Sequence, residues 1–413
     1  MKQSLRRFGK ICVSLLLCGM LLFTCAAPAI AEDVNGGGFD RPVNAHLTFN
    51  EDGEFTILQV ADIQDGALLT TLAKETLRAA VEKTNPDLIM LTGDNIAGYV
   101  CTVGSLPMYA IRQFMEIFEE FGIPVAAVYG NHDDQNTAMD KEAQMEVYME
   151  YDCFIGCKGV VAEKTVGSNT MKNVGTYNIP VFASKDSDQV LFNVWCFDSG
   201  NYNPDNSVGG YGYVLPEQVA WYEDVSNALK AENGGEPVPS IAFQHIVPPQ
   251  IYRALKEVPK GTEGAITRNG KYYTLPDDVD PATNWLGEPP CPPNVDFEPA
   301  YAQVDSMVRQ GDVVALFYGH DHINSYIVPY EGIDLVSSPG MTYLSYNDAN
   351  RGFRTITINK ADPSAYTTRT YTVEELFEGN TFRTVLLKLQ SIIDIVKGFF
   401  VDLWNTKLQP LFS

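Results

Sequence analysis

The sequence predicts an α/β fold, with two packed mixed β-sheets flanked by helices. Three observations carry that expectation. Strand-like and helix-like runs alternate between residues 55 and 129, as parallel βαβ units do. A second series of short apolar strands follows from residue 190 onward, and its later members are joined by short turns that suggest antiparallel pairing. Apolar residues make up 45% of the 413-residue chain, enough to bury a sizeable core.

Taken in order, residues 1–31 read as a signal peptide. Lys2, Arg6, Arg7 and Lys10 precede an apolar run from residue 11 to about 25, and Ala29-Ile30-Ala31 offers a small-x-small cleavage site. The run is shorter than the ~20 residues a membrane span needs. The expected setting is therefore extracytoplasmic, secreted or at the cell surface. Residues 32–53 form a leader that ends in an edge strand at 46–49.

Residues 54–375 are expected to form the main domain. Its first half reads as strand 55–61, helix 71–84, strand 87–92, helix 107–121 and strand 124–129. Further strands are expected at 190–197, 240–244, 312–318, 326–328, 333–337 and 354–358, with helices at 216–231 and around 298–309. Within the domain, residues 248–297 are rich in Pro and Gly and weakly periodic. A stretch of that length is often functional, and it is read as a lid-like insertion. Residues 376–413 are expected to carry a C-terminal amphipathic helix. Its apolar residues from 382 onward follow helical spacing, which makes 382–413 a candidate for docking on the domain or for membrane-surface or protein contact.

The formal charge of −23 leaves no basic face to displace counterions from nucleic acid, so no duplex partner is expected. It also means that an anionic substrate needs a local positive charge, most directly from bound metal. Five cysteines lie beyond the signal peptide: Cys101, Cys153, Cys157, Cys196 and Cys291. They lack a zinc-type spacing and read as structural, with Cys153 and Cys157 a candidate disulfide in an oxidising compartment.

The chemistry is concentrated at the ends of strands. Asp62 ends the first and Asp94 the second; Gly130-Asn131-His132-Asp133 follows the third; His245 and Gly319-His320-Asp321-His322 follow two later ones. Each alone is ordinary, because a lone Asp after a strand is usually a turn residue and a lone His is usually structural. Together they are a set, since groups beyond the carboxyl ends of strands converge in α/β sheets. Imidazole and carboxylate donors suit divalent or trivalent ions such as Mn, Fe or Zn. Two such ions need a shared carboxylate, for which Asp94 is the natural bridge. An ion pair of this kind clamps an in-line displacement at phosphorus and makes hydroxide available at neutral pH. His132, paired with Asp133, is expected either to stabilise the developing charge or to protonate a leaving oxygen.

At Asp62-Ile63-Gln64, Gly93-Asp94-Asn95, Gly130-Asn131-His132-Asp133, Gln244-His245 and Gly319-His320-Asp321-His322 the chain resembles the calcineurin-like metallophosphoesterases, in particular the purple-acid-phosphatase-like and Dcr2-like branch. The resemblance spans roughly residues 54–360 and implies a four-layer α/β/β/α sandwich. It also implies two metal ions, one held by Asp62, Asp94 and His322 and the other by Asp94, Asn131, His245 and His320. The family pattern Asp-x-His has Gln64 in its His place. Either the Gln64 amide oxygen ligates, or Asp65 or a water fills the gap, or that site holds metal loosely. Ala97 stands where purple acid phosphatases have a tyrosine, so no tyrosinate colour is expected.

The implied function is an exported phosphoesterase that hydrolyses mono- or diesters of phosphate with a hydroxide activated by a dinuclear metal centre. Its partner is a phosphorylated small molecule or ester, with Asn95, Arg253 and Arg268 as candidate substrate contacts. The alternative is a non-catalytic surface or binding protein on the same scaffold, for which Gln64 is the supporting feature.

Overall fold

The computed structural model describes residues 46–294 and 302–390. The expected signal peptide, most of the expected leader and the tail beyond residue 390 lie outside the described residues. The chain runs through β1 (Leu47–Thr48), β2 (Glu54–Val60), α1 (Thr71–Thr84), β3 (Leu88–Thr92), α2 (Leu106–Phe121) and β4 (Val125–Val128). It continues with α3 (Lys141–Tyr148), β5 (Val160–Val166), β6 (Asn169–Phe182), β7 (Val190–Cys196), α4 (Pro216–Glu232) and β8 (Ser240–Phe243). Then come α5 (Ile251–Ala254), β9 (Lys256–Val258), β10 (Ile266–Arg268), β11 (Lys271–Thr274) and β12 (Trp285–Leu286). The last group is α6 (Ala302–Gln310), β13 (Val313–Tyr318), β14 (Asn324–Tyr330), β15 (Ile333–Ser337), β16 (Gly352–Asn359), β17 (Asp362–Thr372) and α7 (Val373–Leu376).

Local chemistry sets several of these boundaries. The Thr70 hydroxyl accepts the Ala73 N–H at the start of α1, and Asn85 closes that helix in the left-handed region at φ 40°. Gly122 closes α2 at φ 63°.

Two sheets form the centre, one ordered β17-β16-β2-β3-β4, the other β1-β6-β7-β8-β13-β15-β14-β12 with β5 on β6. Period-2 alternation explains how they stack. In the five-stranded sheet Leu58, Val60, Ile89, Leu91, Val125 and Ala127 face α1 and α2. The intervening Ile57, Leu88, Met90, Ala126 and Val128 meet Ile179, Val194, Ile241, Phe243 and Phe317 of the other sheet. On the far side of the nine-stranded sheet, Trp195 lies edge-on to Trp221 and Tyr222 of α4. Helices, sheet, sheet and helices thus make the four layers of an α/β/β/α sandwich.

The structure differs from the sequence reading in three places. First, β13 pairs in parallel with both β8 and β15, whereas β14 and β15 are antiparallel to each other as expected. The turn at Glu331-Gly332, both with positive φ, reverses the chain and lays β15 between β13 and β14. Second, β6 and β17 were not read as strands. Strand β6 buries Asn173, Thr176 and Asn178 and contains Pro180, which breaks the apolar pattern, and β17 alternates exposed polar residues. Third, no disulfide joins Cys153 and Cys157, nor any other pair among the described residues.

Residues 381–390 are helical. Leu386 and Leu387 pack on the core, Arg383 reaches Glu75 at 3.0 Å, and Gln390 donates to the Tyr343 carbonyl.

The intersheet core should be the main source of stability. Phe317 is fully buried there, stacked on Phe243 at 5.4 Å. Phe317→Ala is expected to destabilise the protein by about 3–5 kcal/mol through lost burial and a residual cavity. Urea denaturation would show this as a lower midpoint at unchanged slope.

Candidate metal centre

Strands of both sheets end at one place. Asp62, Asp94, His245 and His320 each sit two residues past the end of β2, β3, β8 and β13, and Asn131 sits three past β4. Backbone hydrogen bonds join these strand ends. Asp62 N–H donates to Gly93 O, Gln64 N–H to Asp94 O, Met341 N–H to Ala61 O and Gly340 N–H to His322 O. Residues far apart in sequence are thereby held side by side.

Asp62, Asp94 and His245 are buried and offer ligand atoms that all lie within 4.8 Å of one another. His245 Nε2 stands 3.3 Å from Asp94 Oδ2 and 3.3 Å from His320 Nδ1. His322 Nε2 stands 3.4 Å from Asp62 Oδ1. The opposite nitrogens decide what these contacts mean. His245 Nδ1 is 3.0 Å from Thr92 O, and His322 Nδ1 is 2.8 Å from Tyr346 O. A carbonyl only accepts, so both Nδ1 atoms carry the proton and both Nε2 atoms present lone pairs. Lone pair then faces carboxylate, an arrangement that demands either an extra proton or a cation between them.

Two further donors fit the same reading. The side-chain oxygens of Gln64 and Asn131 are buried and have no hydrogen-bond partner. The Asn131 amide nitrogen is engaged by the Tyr202 hydroxyl at 3.3 Å, which leaves its oxygen turned the other way. Unpaired buried carbonyl oxygens are costly unless something positive meets them. The donor set of carboxylates, imidazoles and amide oxygens therefore fits metal ions, and Asp62, Gln64, Asp94, Asn131, His245, His320 and His322 are the residues that could hold them.

The backbone is strained in the same region. Asp62, Gln64, Asp94 and His320 all have positive φ, at 53°, 39°, 48° and 76°. Each such residue costs on the order of 1–3 kcal/mol, and such strain clusters at functional sites. Close approach explains two of the glycines. A Cβ on Gly130 would lie 2.2 Å from Asp94 Oδ1, and one on Gly319 would lie 2.6 Å from Asp62 Oδ2.

The metal-free electrostatics follow from this crowding. Burial opposes ionisation of Asp94, but His245 and His132 outweigh it and hold that carboxyl well below the usual range. Burial likewise opposes a charge on His245, yet Asp94 and Asp62 push its pKa up to about 9. Burial and the neighbouring His245 hold His320 well below its ordinary value.

Not every expected residue joins the cluster. His132 does: its backbone N–H donates to Asp94 Oδ1 at 2.7 Å, and its Nε2 stands 3.9 Å from Asp94 Oδ2, partly exposed. Asp133 does not orient it. The Asp133 carboxylate turns inward and accepts the N–H groups of Gly130 and Ile96, fixing the loop backbone instead. The partner of His132 Nδ1 is the Gln135 side chain. Asp65 accepts from Gly66 and Thr70 and so caps a turn. Asn95 is buried against β4, donating to Val128 O, rather than open to substrate. Arg253 is directed at the Tyr330 hydroxyl, at the end of β14 remote from His322. Arg268 lies over the Tyr252 ring and contacts Cys291.

Residues 284–294 run beside the His320-Asp321-His322 segment. Cys291 N–H donates to Asp321, Ile323 N–H donates to Glu288, and the Asn324 side chain bonds Gly287 and Glu288. The sequence reading missed the Gln135 contact, the buried Lys141 that grips Asp198 at 2.8 Å, and the tyrosines Tyr99, Tyr211 and Tyr346 beside the histidines. Nothing in residue spacing marks them, because they come from separate segments of the chain, Lys141 from the start of α3 and the others from the connections between strands and helices.

Comparison with known proteins agrees with this geometry. Residues 55–324 match the family described as calcineurin-like phosphoesterase. The chain is 27% identical over 341 residues to "Probable inactive purple acid phosphatase 28" of Arabidopsis thaliana, covering 75% of this chain and 76% of that one. It is 24% identical over 327 residues to the phosphatase DCR2 of Saccharomyces cerevisiae, covering 74% of this chain and 50% of that one. Among solved structures it is similar to a dimetal phosphatase from Danio rerio, with a TM-score of 0.44 and 12% identity over 77% of this chain and 99% of the other.

A metal ligand must be a neutral imidazole, whereas His245 in the metal-free protein keeps its extra proton up to about pH 9. Metal binding at pH 7 is therefore expected to release protons, and affinity should rise with pH until about 9 and level off above it. Calorimetric titration of metal-free protein with Mn or Zn in buffers of different ionisation enthalpy measures this. Proton release of zero would count against the geometry described.

Proposed function

Because the chain belongs to the calcineurin-like phosphoesterase family, and so to the phosphoric ester hydrolases, we propose that it is an exported enzyme that cleaves phosphate mono- or diesters at a dinuclear metal centre. The observation that carries the reading is the convergence of Asp62, Asp94 and His245 with the unpaired oxygens of Gln64 and Asn131. One ion is assigned to Asp62, Gln64, Asp94 and His322, the other to Asp94, Asn131, His245 and His320. Asp94 is shared between them, and Gln64 serves through its side-chain oxygen in place of an imidazole. Of the three options open for that position, the turned-away Asp65 carboxylate favours this one. Ions of the Mn, Fe or Zn class suit the donors.

When bound, the two ions supply positive charge for the phosphoryl oxygens and lower the pKa of water towards ~7. The protein's own residues do the rest. The carbonyls of Thr92 and Tyr346 fix the orientation of His245 and His322, so that ligand geometry is set before substrate arrives. His132 is held from two sides, by Asp94 at its backbone and by Gln135 at Nδ1, and its partly exposed Nε2 would, with the ring doubly protonated, give a proton to the leaving oxygen. The segment 284–294, tied to Asp321 and Asn324, forms one wall of the cleft.

The name of the Arabidopsis relative includes the word inactive, and Gln64 departs from the family pattern; both favour the non-catalytic alternative. The remaining ligand set favours catalysis. Metal-loaded protein should hydrolyse p-nitrophenyl phosphate or its bis-ester with at least one of Mn, Fe or Zn. Asp94→Ala should fall from about two bound ions to none by elemental analysis, as expected of a carboxylate shared by two metals. His132→Gln should keep its metal and lose about 10²–10⁴-fold in kcat, the range for a general acid. Protein that holds two ions and hydrolyses neither ester with any metal would sink the enzymatic reading.

A further inference from the structure

We propose that the site selects phosphate esters with a planar aromatic group and a single phosphate, gripped by tyrosine rings that stand on the metal-ligand histidines. This rests on the phosphoesterase reading and narrows its substrate class.

On one side Tyr346 lies flat on His322, with centroids 4.2 Å apart and planes 12° from parallel, yet it remains 53% exposed. It is fixed at both ends: its carbonyl accepts from His322 Nδ1, and its hydroxyl donates to Glu288 Oε1 at 3.0 Å. Glu288 is itself held by Ile323 N–H at 3.2 Å. On the other side Tyr202, 37% exposed, stacks on Tyr211, and Tyr211 meets His320 edge-on at 4.2 Å. The Tyr202 hydroxyl is taken by Asn131. Tyr99 meets His132 edge-on at 5.1 Å.

Two consequences follow. The hydroxyls of Tyr346 and Tyr202 already have polar partners, so what these residues offer the cleft is ring face. Ring faces stack on planar groups and give little to a flexible polyol. The rings are also held in place before binding, which lowers the ordering cost on association.

Charge supplies the second half of the argument. Phosphate chains are normally gripped by arginine or lysine in addition to metal. Here Lys141 is buried on Asp198, Arg268 lies over Tyr252, and Arg351 donates to Thr342 O and lies over the Tyr343 ring. The side chain of the 284–294 segment that bonds Tyr346 and Ile323 is the carboxylic acid Glu288, while the cation of the wider segment, Arg268, is engaged by Tyr252 and Cys291. A second or third phosphate would meet that acid rather than a cation, in a chain of formal charge −23.

The test uses full-length, metal-loaded protein and two non-hydrolysable probes, phenylphosphonate and methylphosphonate, with binding measured by calorimetry. Wild type should prefer the phenyl probe. Tyr346→Ala and Tyr202→Ala should each shrink that preference by roughly tenfold, the scale of one lost stacking contact. Tyr346→Phe, which keeps the ring and loses the Glu288 contact, should retain it. In turnover, the preference for 1-naphthyl phosphate over glycerol 2-phosphate should fall in the Tyr346→Ala variant through KM, with metal content unchanged. A nucleoside monophosphate should bind at least as well as the corresponding diphosphate.

Equal affinity for the two phosphonates in wild type, equal loss of both in the variants, or tighter binding of the diphosphate would overturn the proposal. If wild type hydrolyses glycerol 2-phosphate but shows no aryl preference, only the substrate class falls. If metal-loaded wild type binds neither probe and hydrolyses nothing, the phosphoesterase reading falls with it.

Discussion

Asp62 and Asp94 are buried next to each other where strands of both sheets end, and each faces an imidazole nitrogen whose lone pair points back at it. Like charges at this separation repel by on the order of 3 kcal/mol even at an effective dielectric of 20. The metal-free protein relieves this by keeping a proton on His245, against the tendency of burial to remove it. Metal ions would relieve it better, since they also meet the stranded oxygens of Gln64 and Asn131. Much of the architecture can be understood as holding this unfavourable cluster together until a cation arrives.

That holding is done by backbone. Four non-glycine residues in the cluster sit in the left-handed region, and Gly130 and Gly319 let main chain approach the two carboxylates more closely than any side chain would allow. Strain of this kind persists only where the surroundings over-determine it. Here the surroundings are two sheets that bury Ile57, Met90, Phe243 and Phe317 between them and so fix the strand ends that carry the ligands. Asp133 belongs to this support: it secures the loop through Gly130 and Ile96 and leaves the contact with His132 to Gln135.

Outside the ligands, function depends on loops with little regular structure of their own. The segment from 284 to 294 pairs briefly with β14 and then clamps onto Asp321 and Asn324, so it braces the histidine pair. The tyrosines arrive from three separate loops and converge on three different histidines. Loops placed by a rigid scaffold are where recognition normally resides.

The sequence by itself determined the layered α/β class and marked out the candidate ligand residues. Apolar period and strand-end position are local properties, and Asp62, Asp94, Asn131, His245, His320 and His322 each follow a strand that can be read from its own residues. It also exposed the Gln64 departure. What it could not determine was anything set by contact between distant segments. Strand β6 escaped because its polar residues are buried and reach partners far away in sequence: the Asn173 amide nitrogen donates to Asp198, Tyr213 and Gln218. The parallel pairing of β13 with β15 depends on where a hairpin lands. Asn95 and Arg253 looked like substrate contacts by composition, but a side chain's direction is decided by packing, which turned one into the core and the other towards Tyr330. Only the tertiary structure could show which lone pairs face which carboxylates, because that depends on the carbonyl each imidazole meets on its opposite side.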